Sequence, residues 1–153
     1  MGKRHAPSLM RQIRRELKEG ASPESIFPKV KAIEDPYYRS LSFYLLIPYF
    51  SPKDKKCKES ISLSNKDIEK VQQPWRRVEL IGSISKILKS VSDTRLQRQL
   101  FSSMLEKIKI EKSKEIKDFL LKYTKHFPEF YLSHLLDLSK NSKGNELETG
   151  KTV

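Results

Sequence analysis

The sequence predicts an all-α protein, a single-domain bundle or short right-handed solenoid of about eight helices in antiparallel hairpins. Three observations lead to this fold class. Apolar residues recur three and four positions apart along most of the chain, a spacing that puts them on one face of a helix. Sustained alternation of apolar and polar residues and Asn-Gly or Asp-Gly hairpin turns are missing from the sequence. The length of 153 residues fits one domain with one core.

The N-terminal third predicts three helices whose ends are marked by local chemistry. Gly20 should end the first helix, and Ser22-Pro23 supplies an N-cap and a first-turn proline for the second. Asp35-Pro36 repeats that device for the third helix, which Pro48 should end or kink. The expected inward-facing residues are Leu9, Ile13, Leu17, Ile26, Val30, Ile33, Tyr37, Leu41, Tyr44 and Leu45.

The remainder predicts a loop followed by further helices. Residues 51–62 lack an apolar stripe and carry a dense run of lysines, so we expect an exposed basic loop there. A capping box at 64–67 should begin a short helix, Pro74 the longest helix and Ser92-Asp93 the next. Apolar stripes after Ser113 and Pro128 predict two more. Residues 1–138 therefore form the predicted helical-hairpin repeat domain, and residues 139–153 a disordered polar tail.

Two segments repeat with an offset of 38 residues, because residues 30–47 align without gaps with residues 68–85. The alignment pairs Pro36 with Pro74 and Arg39 with Arg77. The first junction, A-I-E-D-P-Y-Y-R over residues 32–39, resembles the I-x-D-P-x-x-R hairpin junction of archaeal helical-repeat proteins of the HEAT or TPR type. The second copy departs from that pattern at residues 72–73, where the acidic cap is missing. The resemblance implies an architecture and no activity.

Five residues of these junctions are interpreted as structural: Asp35, Pro36, Arg39, Pro74 and Arg77. Arg39 and Arg77 each lie one helical turn before an apolar residue on the same face. The alkyl stem should therefore cover the core while the guanidinium binds an anion. Two anions are considered: a carboxylate together with the last carbonyls of the preceding helix, or a phosphate.

Charge favours a polyanionic partner, because 31 Lys and Arg against 19 Asp and Glu give a formal net charge of +12. Nucleic acid, an acidic protein or an anionic membrane surface would all suit this balance. Residues 84–100 also read as a helix-turn-helix, although the same pattern describes any hairpin of a helical repeat. The candidate polyanion contacts are Arg11, Arg14, Arg15, Lys18, Lys53, Lys55, Lys56, Lys58, Arg76, Arg95 and Arg98.

The C-terminal segment suggests a different contact. Residues 127–138, beginning at Phe127, carry apolar groups on more of the helix circumference than one core contact can cover. Residues 118–153 carry five basic and five acidic residues, and this neutral balance would allow two copies of a basic chain to meet. We therefore expect a homodimer or protein-partner contact through Phe130, Tyr131, Leu132 and Leu135.

No catalytic or metal-binding pattern stands out. Cys57 is the single cysteine; its lysine neighbours would lower its pKa, but no histidine base is near and we expect an ordinary surface thiol. His5, His126 and His134 are too scattered for ligand spacing. We expect no enzyme activity, metal, cofactor or small-molecule substrate, no membrane span and a cytoplasmic location.

Two functions remain open from the sequence. The first is a non-enzymatic helical-repeat interaction module, that is, a protein-protein scaffold or adaptor. The alternative is a nucleic-acid-binding protein that uses its basic N-terminal and central surface.

Overall fold

The computed structural model describes residues 6–111, 116–118, 121–122 and 124–129. All regular secondary structure within these residues is helical, which confirms the all-α fold class. Two short 3-10 helices, Ile47–Tyr49 and Thr124–His126, accompany the α-helices. The α-helices whose full extent is described are α1 (Ala6–Lys18), α2 (Pro23–Lys31), α3 (Pro36–Leu46), α4 (Lys55–Lys70), α5 (Pro74–Leu88) and α6 (Thr94–Lys109), and residues 116–118 and 121–122 are also α-helical.

Most helix ends lie where the local sequence predicts them. Ser22, Asp35 and Asp93 each accept a hydrogen bond from a backbone N–H two or three residues later, at 2.8–3.2 Å. Gly20 follows α1 with φ +100, a left-handed conformation that only glycine adopts at little cost. Gln73 precedes α5 without a capping side chain, as expected from the missing acidic residue at this junction.

α3 lies at the centre of the molecule and packs against α1, α2, α4 and α5. Residues 40–46 are buried around the whole helix circumference, so this helix contacts neighbours on all sides. The expected inward-facing residues of α2 and α3 are buried, as are Ile13 and Leu17 of α1, whereas Leu9 is partly exposed. α1 and α5 therefore lie on different flanks of the same central helix.

The prediction of a basic loop over residues 51–62 is wrong beyond residue 54, because α4 begins at Lys55 and runs unbroken to Lys70. The predicted capping box at 64–67 consequently lies inside a helix. Asp54 caps α4 by accepting a hydrogen bond from the Lys56 N–H at 2.8 Å. The buried face of α4 escapes a search for apolar stripes because it consists largely of small and polar side chains: Cys57, Ser60, Ser64, Asp67 and Ile68.

Hydroxyl pairing allows this polar face to be buried against α3. Ser64 Oγ donates to the Ser40 carbonyl oxygen at 3.0 Å, and the two hydroxyl oxygens lie 2.7 Å apart. Ser60 Oγ donates to the Lys56 carbonyl oxygen at 2.7 Å. Since each hydroxyl has a partner, burial leaves no unpaired polar group at these serines and the two helices approach closely.

The expectation of an exposed Cys57 with a lowered pKa is also wrong. Its side chain is 0% exposed, within the interface between α4 and the core. Burial raises the pKa of the thiol and the charge of Asp54 raises it further, while Lys58 acts in the opposite direction. Cys57 is therefore a core residue and not a reactive surface thiol.

Several predictions about the C-terminus lie outside the described residues. These are the helix after Pro128, the polar tail over 139–153, and the contact residues Phe130, Tyr131, Leu132 and Leu135. Phe127, the first residue of the expected partner surface, is described and buried, and its ring centroid lies 5.3 Å from that of Phe101 in α6. This aromatic side chain belongs to the protein's own core.

Candidate functional site

The first hairpin junction is closed by Arg39. Its Nε and Nη2 donate to the two carboxylate oxygens of Asp67 at 2.8 Å each, and Nη1 donates to the Ile33 carbonyl oxygen at 2.8 Å. Hydrogen bonding to Asp67 raises the pKa of Arg39, against the opposing effect of burial. The guanidinium thus joins the end of α2 to the last turn of α4.

The second junction makes similar contacts: Arg77 and its carbonyl acceptor Val71 lie 38 residues after Arg39 and Ile33, while the carboxylate comes from Glu111, 44 residues after Asp67. Arg77 Nε and Nη2 donate to Glu111 at 2.7 and 3.1 Å, and Nη1 donates to the Val71 and Gln72 carbonyl oxygens at 2.6 and 3.0 Å. Both arginines therefore bind a carboxylate and the preceding carbonyls, the first of the two alternatives considered above. The phosphate alternative does not fit guanidinium groups engaged in this way.

Arg76, a candidate polyanion contact, lies between the two junctions. Its guanidinium carbon is 4.4 Å from the ring centroid of Tyr37, and Nη2 is 3.9 Å from an Asp35 carboxylate oxygen. Stacking on an aromatic face beside a carboxylate gives this side chain a packing role.

A groove of about 720 Å³ lies between α1 and α5, above α3. Its charged lining comes from Arg14 and Lys18 of α1 and from Lys86 of α5, and all three side chains are exposed. Among the described residues that line it there is no Asp or Glu. The remaining lining residues are apolar, aromatic or hydroxyl-bearing: Met10, Leu41, Leu45, Pro48, Tyr49, Ser83, Ile87 and Ser90.

The positive surface continues past the C-terminal end of α5. Lys89 Nζ lies 3.5 Å from the carbonyl oxygen of Lys125 in the second 3-10 helix. Burial lowers the pKa of His126, and the neighbouring charges of Lys86, Lys89 and Lys125 lower it further. The three lysines around His126 thus form a cluster of positive charge beside the groove.

Helix dipoles oppose this positive charge but are weaker. α1, α3 and α5 all contribute their C-terminal halves to the groove, and each helix C-terminus carries about −0.5 of an elementary charge. Arg14, Lys18, Lys86 and Lys89 each carry a full positive charge. Basic residues near helix C-termini also stabilise the helices. At the groove their full positive charges exceed the partial negative charges of the helix C-termini, so the electrostatic field favours an anion.

Most other candidate cations lie away from the groove. Lys53, Lys55, Lys56 and Lys58 are exposed and do not line it; Lys56 Nζ lies 4.8 Å from the ring centroid of Phe27. Arg11 and Arg15 are exposed on α1 and are also outside the groove lining, and Arg11 Nη2 donates to Ser8 Oγ at 3.2 Å.

The two candidate cations within the predicted helix-turn-helix stretch lie on a surface separate from the groove. Arg95 and Arg98 line a shallow depression whose lining residues all belong to α6. Gln97 Nε2 donates to the Leu88 carbonyl oxygen at 3.0 Å, so this amide caps the end of α5. Its side chain is thereby engaged in holding α5 to α6.

The groove therefore contains two predicted residues, Arg14 and Lys18, together with residues that the sequence analysis missed. Lys86 lines the groove and Lys89 lies just beyond it. Both are recognisable in the sequence as basic residues near the end of a predicted helix, a placement that dipole stabilisation alone accounts for. The sequence carries no signal that the C-terminal ends of α1 and α5, about 70 residues apart, line the same groove. Tyr49 was missed for the same reason.

The described residues carry neither a membrane span nor a metal cluster. No helix there is long and apolar enough to cross a membrane. The same residues include no group of three or more His, Cys, Asp or Glu side chains placed to hold a metal ion.

Comparison with protein-family models, with curated proteins and with solved structures finds no match to this chain.

Proposed function

We propose that the protein is a non-enzymatic nucleic-acid-binding module that holds a phosphate backbone in the groove between α1 and α5. The observation that carries this proposal is the meeting of Arg14, Lys18 and Lys86 around one groove whose described lining contains no carboxylate. A concave surface with one sign of charge concentrates the field and attracts a polyanion.

The net charge of the whole chain supports the same proposal. A formal charge of +12 would steer a polyanion toward the protein, and contacts between cations and phosphates release counterions from the nucleic acid. The three groove cations are solvent-exposed, so their ammonium and guanidinium groups can reach phosphate oxygens.

A matched pair of charge-reversal variants tests the proposal. The groove variant carries Arg14→Glu, Lys18→Glu and Lys86→Glu. The control carries three reversals at exposed lysines outside the groove, Lys53→Glu, Lys55→Glu and Lys58→Glu, and has the same net charge as the groove variant. Fluorescence anisotropy with labelled oligonucleotides over a range of salt concentrations measures both.

We expect the groove variant to lose binding, while the control keeps most of its affinity. For the unmutated protein, three phosphate contacts would make the slope of log K against log salt about −2 to −3. Equal losses of affinity in the two variants would show that binding depends on net charge alone and would contradict the groove as the binding site. A salt-independent affinity would contradict phosphate binding altogether.

A protein-protein adaptor is the second candidate, favoured by the exposure of the single tryptophan. Trp75 is 55% exposed on the first turn of α5, and large aromatic side chains are enriched at protein interfaces. Trp75 and Lys86 are separated by about 16 Å along α5. A protein partner docked on Trp75 would shift its fluorescence to shorter wavelength, whereas an oligonucleotide in the groove would leave its emission unchanged.

A further inference from the structure

The groove has two chemically different surfaces. Its floor is apolar, with Leu41 and Leu45 of the central helix at the bottom, and its rim carries Arg14, Lys18 and Lys86. A phosphate backbone can satisfy the rim, but phosphates gain nothing from an apolar floor. A ligand that fits both surfaces presents apolar groups and negative charges on the same molecule.

Single-stranded nucleic acid has that combination and a duplex does not. In a duplex the base faces are stacked on one another and only base edges and phosphates reach the surface. In a single strand the bases can leave the stack and lie on aromatic side chains while the backbone follows a positively charged groove.

Tyr49 provides the aromatic surface at this groove. It ends the 3-10 helix Ile47–Tyr49 and is 47% exposed, while its neighbours Ile47 and Phe50 are buried. The Phe50 N–H donates to the Ile47 carbonyl oxygen at 3.2 Å, which closes the turn around it. Because the buried residues Ile47 and Phe50 flank Tyr49, they hold its backbone in place. Little conformational freedom is therefore lost when a base stacks on the Tyr49 ring.

We propose that the groove binds single-stranded nucleic acid, with a base stacked on Tyr49 and the adjoining phosphates bound by Arg14, Lys18 and Lys86. This inference rests on the proposed function and adds the class of nucleic acid. Base contact through stacking makes the site tolerant of sequence, since every base has a flat face.

The test compares labelled single strands of thymidine and of uridine, about twelve nucleotides long, with a duplex of equal length by fluorescence anisotropy. Tyr49→Leu removes the aromatic face and keeps an apolar side chain, and Tyr49→Phe keeps the ring. Trp75→Leu is the matched control, because it removes an exposed aromatic side chain at the N-terminal end of α5, away from the groove at the C-terminal end of that helix. Circular dichroism melts verify that each variant folds.

We expect at least one single strand to bind about tenfold more tightly than the duplex, and Tyr49→Leu to lose about tenfold of that affinity. Tyr49→Phe and Trp75→Leu should stay within about twofold of the unmutated protein. Equal binding of strand and duplex, or full affinity in Tyr49→Leu, would overturn the inference. The proposed function survives that result if the groove charge reversal still abolishes binding, and it fails together with the inference if no oligonucleotide binds.

Discussion

The ion pair between Arg39 and Asp67 should be strongly asymmetric when its two members are replaced singly. Asp67 is 4% exposed and Arg39 is 21% exposed, so the carboxylate is much the more buried partner. In Arg39→Met the carboxylate keeps an ion pair with Lys70, whose Nζ lies 3.6 Å away on an exposed side chain of the same helix. Leaving a buried charge without its partner costs about 3–5 kcal/mol.

The reverse substitution should cost less. Asp67→Asn keeps the shape of the side chain and one oxygen acceptor, and the partly exposed Arg39 guanidinium can be hydrated. The loss of one charged hydrogen bond then amounts to about 1–3 kcal/mol. For a chain of this size each kcal/mol lowers the melting temperature by about 2–4 °C. We expect Arg39→Met to melt about 10 °C below the unmutated protein, and Asp67→Asn about 5 °C below it.

Thermal and urea unfolding followed by far-UV circular dichroism provide the measurement. The second junction supplies an internal replicate, because Glu111 is also 4% exposed and Arg77 makes the equivalent contacts, so Arg77→Met should behave like Arg39→Met. The double variant Arg39→Met/Asp67→Leu should recover most of the loss, since a buried pair can often be replaced by apolar side chains. A cost below about 1 kcal/mol for Arg39→Met, or one smaller than that of Asp67→Asn, would refute this account of the junction.

Three further predictions concern local features. Gln73→Asp should raise the free energy of unfolding by about 0.5–1 kcal/mol, because it gives α5 the N-cap that Asp35 gives α3. Asp35→Ala should lower the free energy of unfolding by about 1 kcal/mol. Urea titrations measure both, and an unchanged midpoint in either variant would contradict the cap assignment. Cys57 should react with a thiol reagent only after unfolding, because its thiol is buried and its pKa raised; rapid labelling of the folded protein would show that α4 opens readily. The pKa of His126 is lowered in the folded protein, so the unfolded chain binds more protons, and the free energy of unfolding should fall as the pH drops below about 6.5. His126→Gln should remove that part of the pH dependence. A variant whose stability follows the same pH curve as the unmutated protein would refute the prediction.

The sequence alone determined the features that depend on neighbouring residues. The starts of α2, α3 and α6 follow from Ser22, Asp35 and Asp93, because an N-cap bonds to backbone N–H groups only two or three residues away. The end of α1 follows from Gly20 in the same way. The 38-residue offset was also readable, and the contacts of Arg39 and Arg77 reproduce it.

Only the tertiary structure decided the features that depend on distant partners. The first half of α4 was predicted as a loop because this helix buries few apolar residues. The serines and Asp67 on its buried face become acceptable inside only when partners such as Ser40 and Arg39 of α3 satisfy them. The groove exists because α1 and α5 pack on different flanks of α3, which brings Arg14 and Lys86 to one surface. Periodicity describes which face of a helix is apolar, but the position of one helix beside another is set by packing across the whole core.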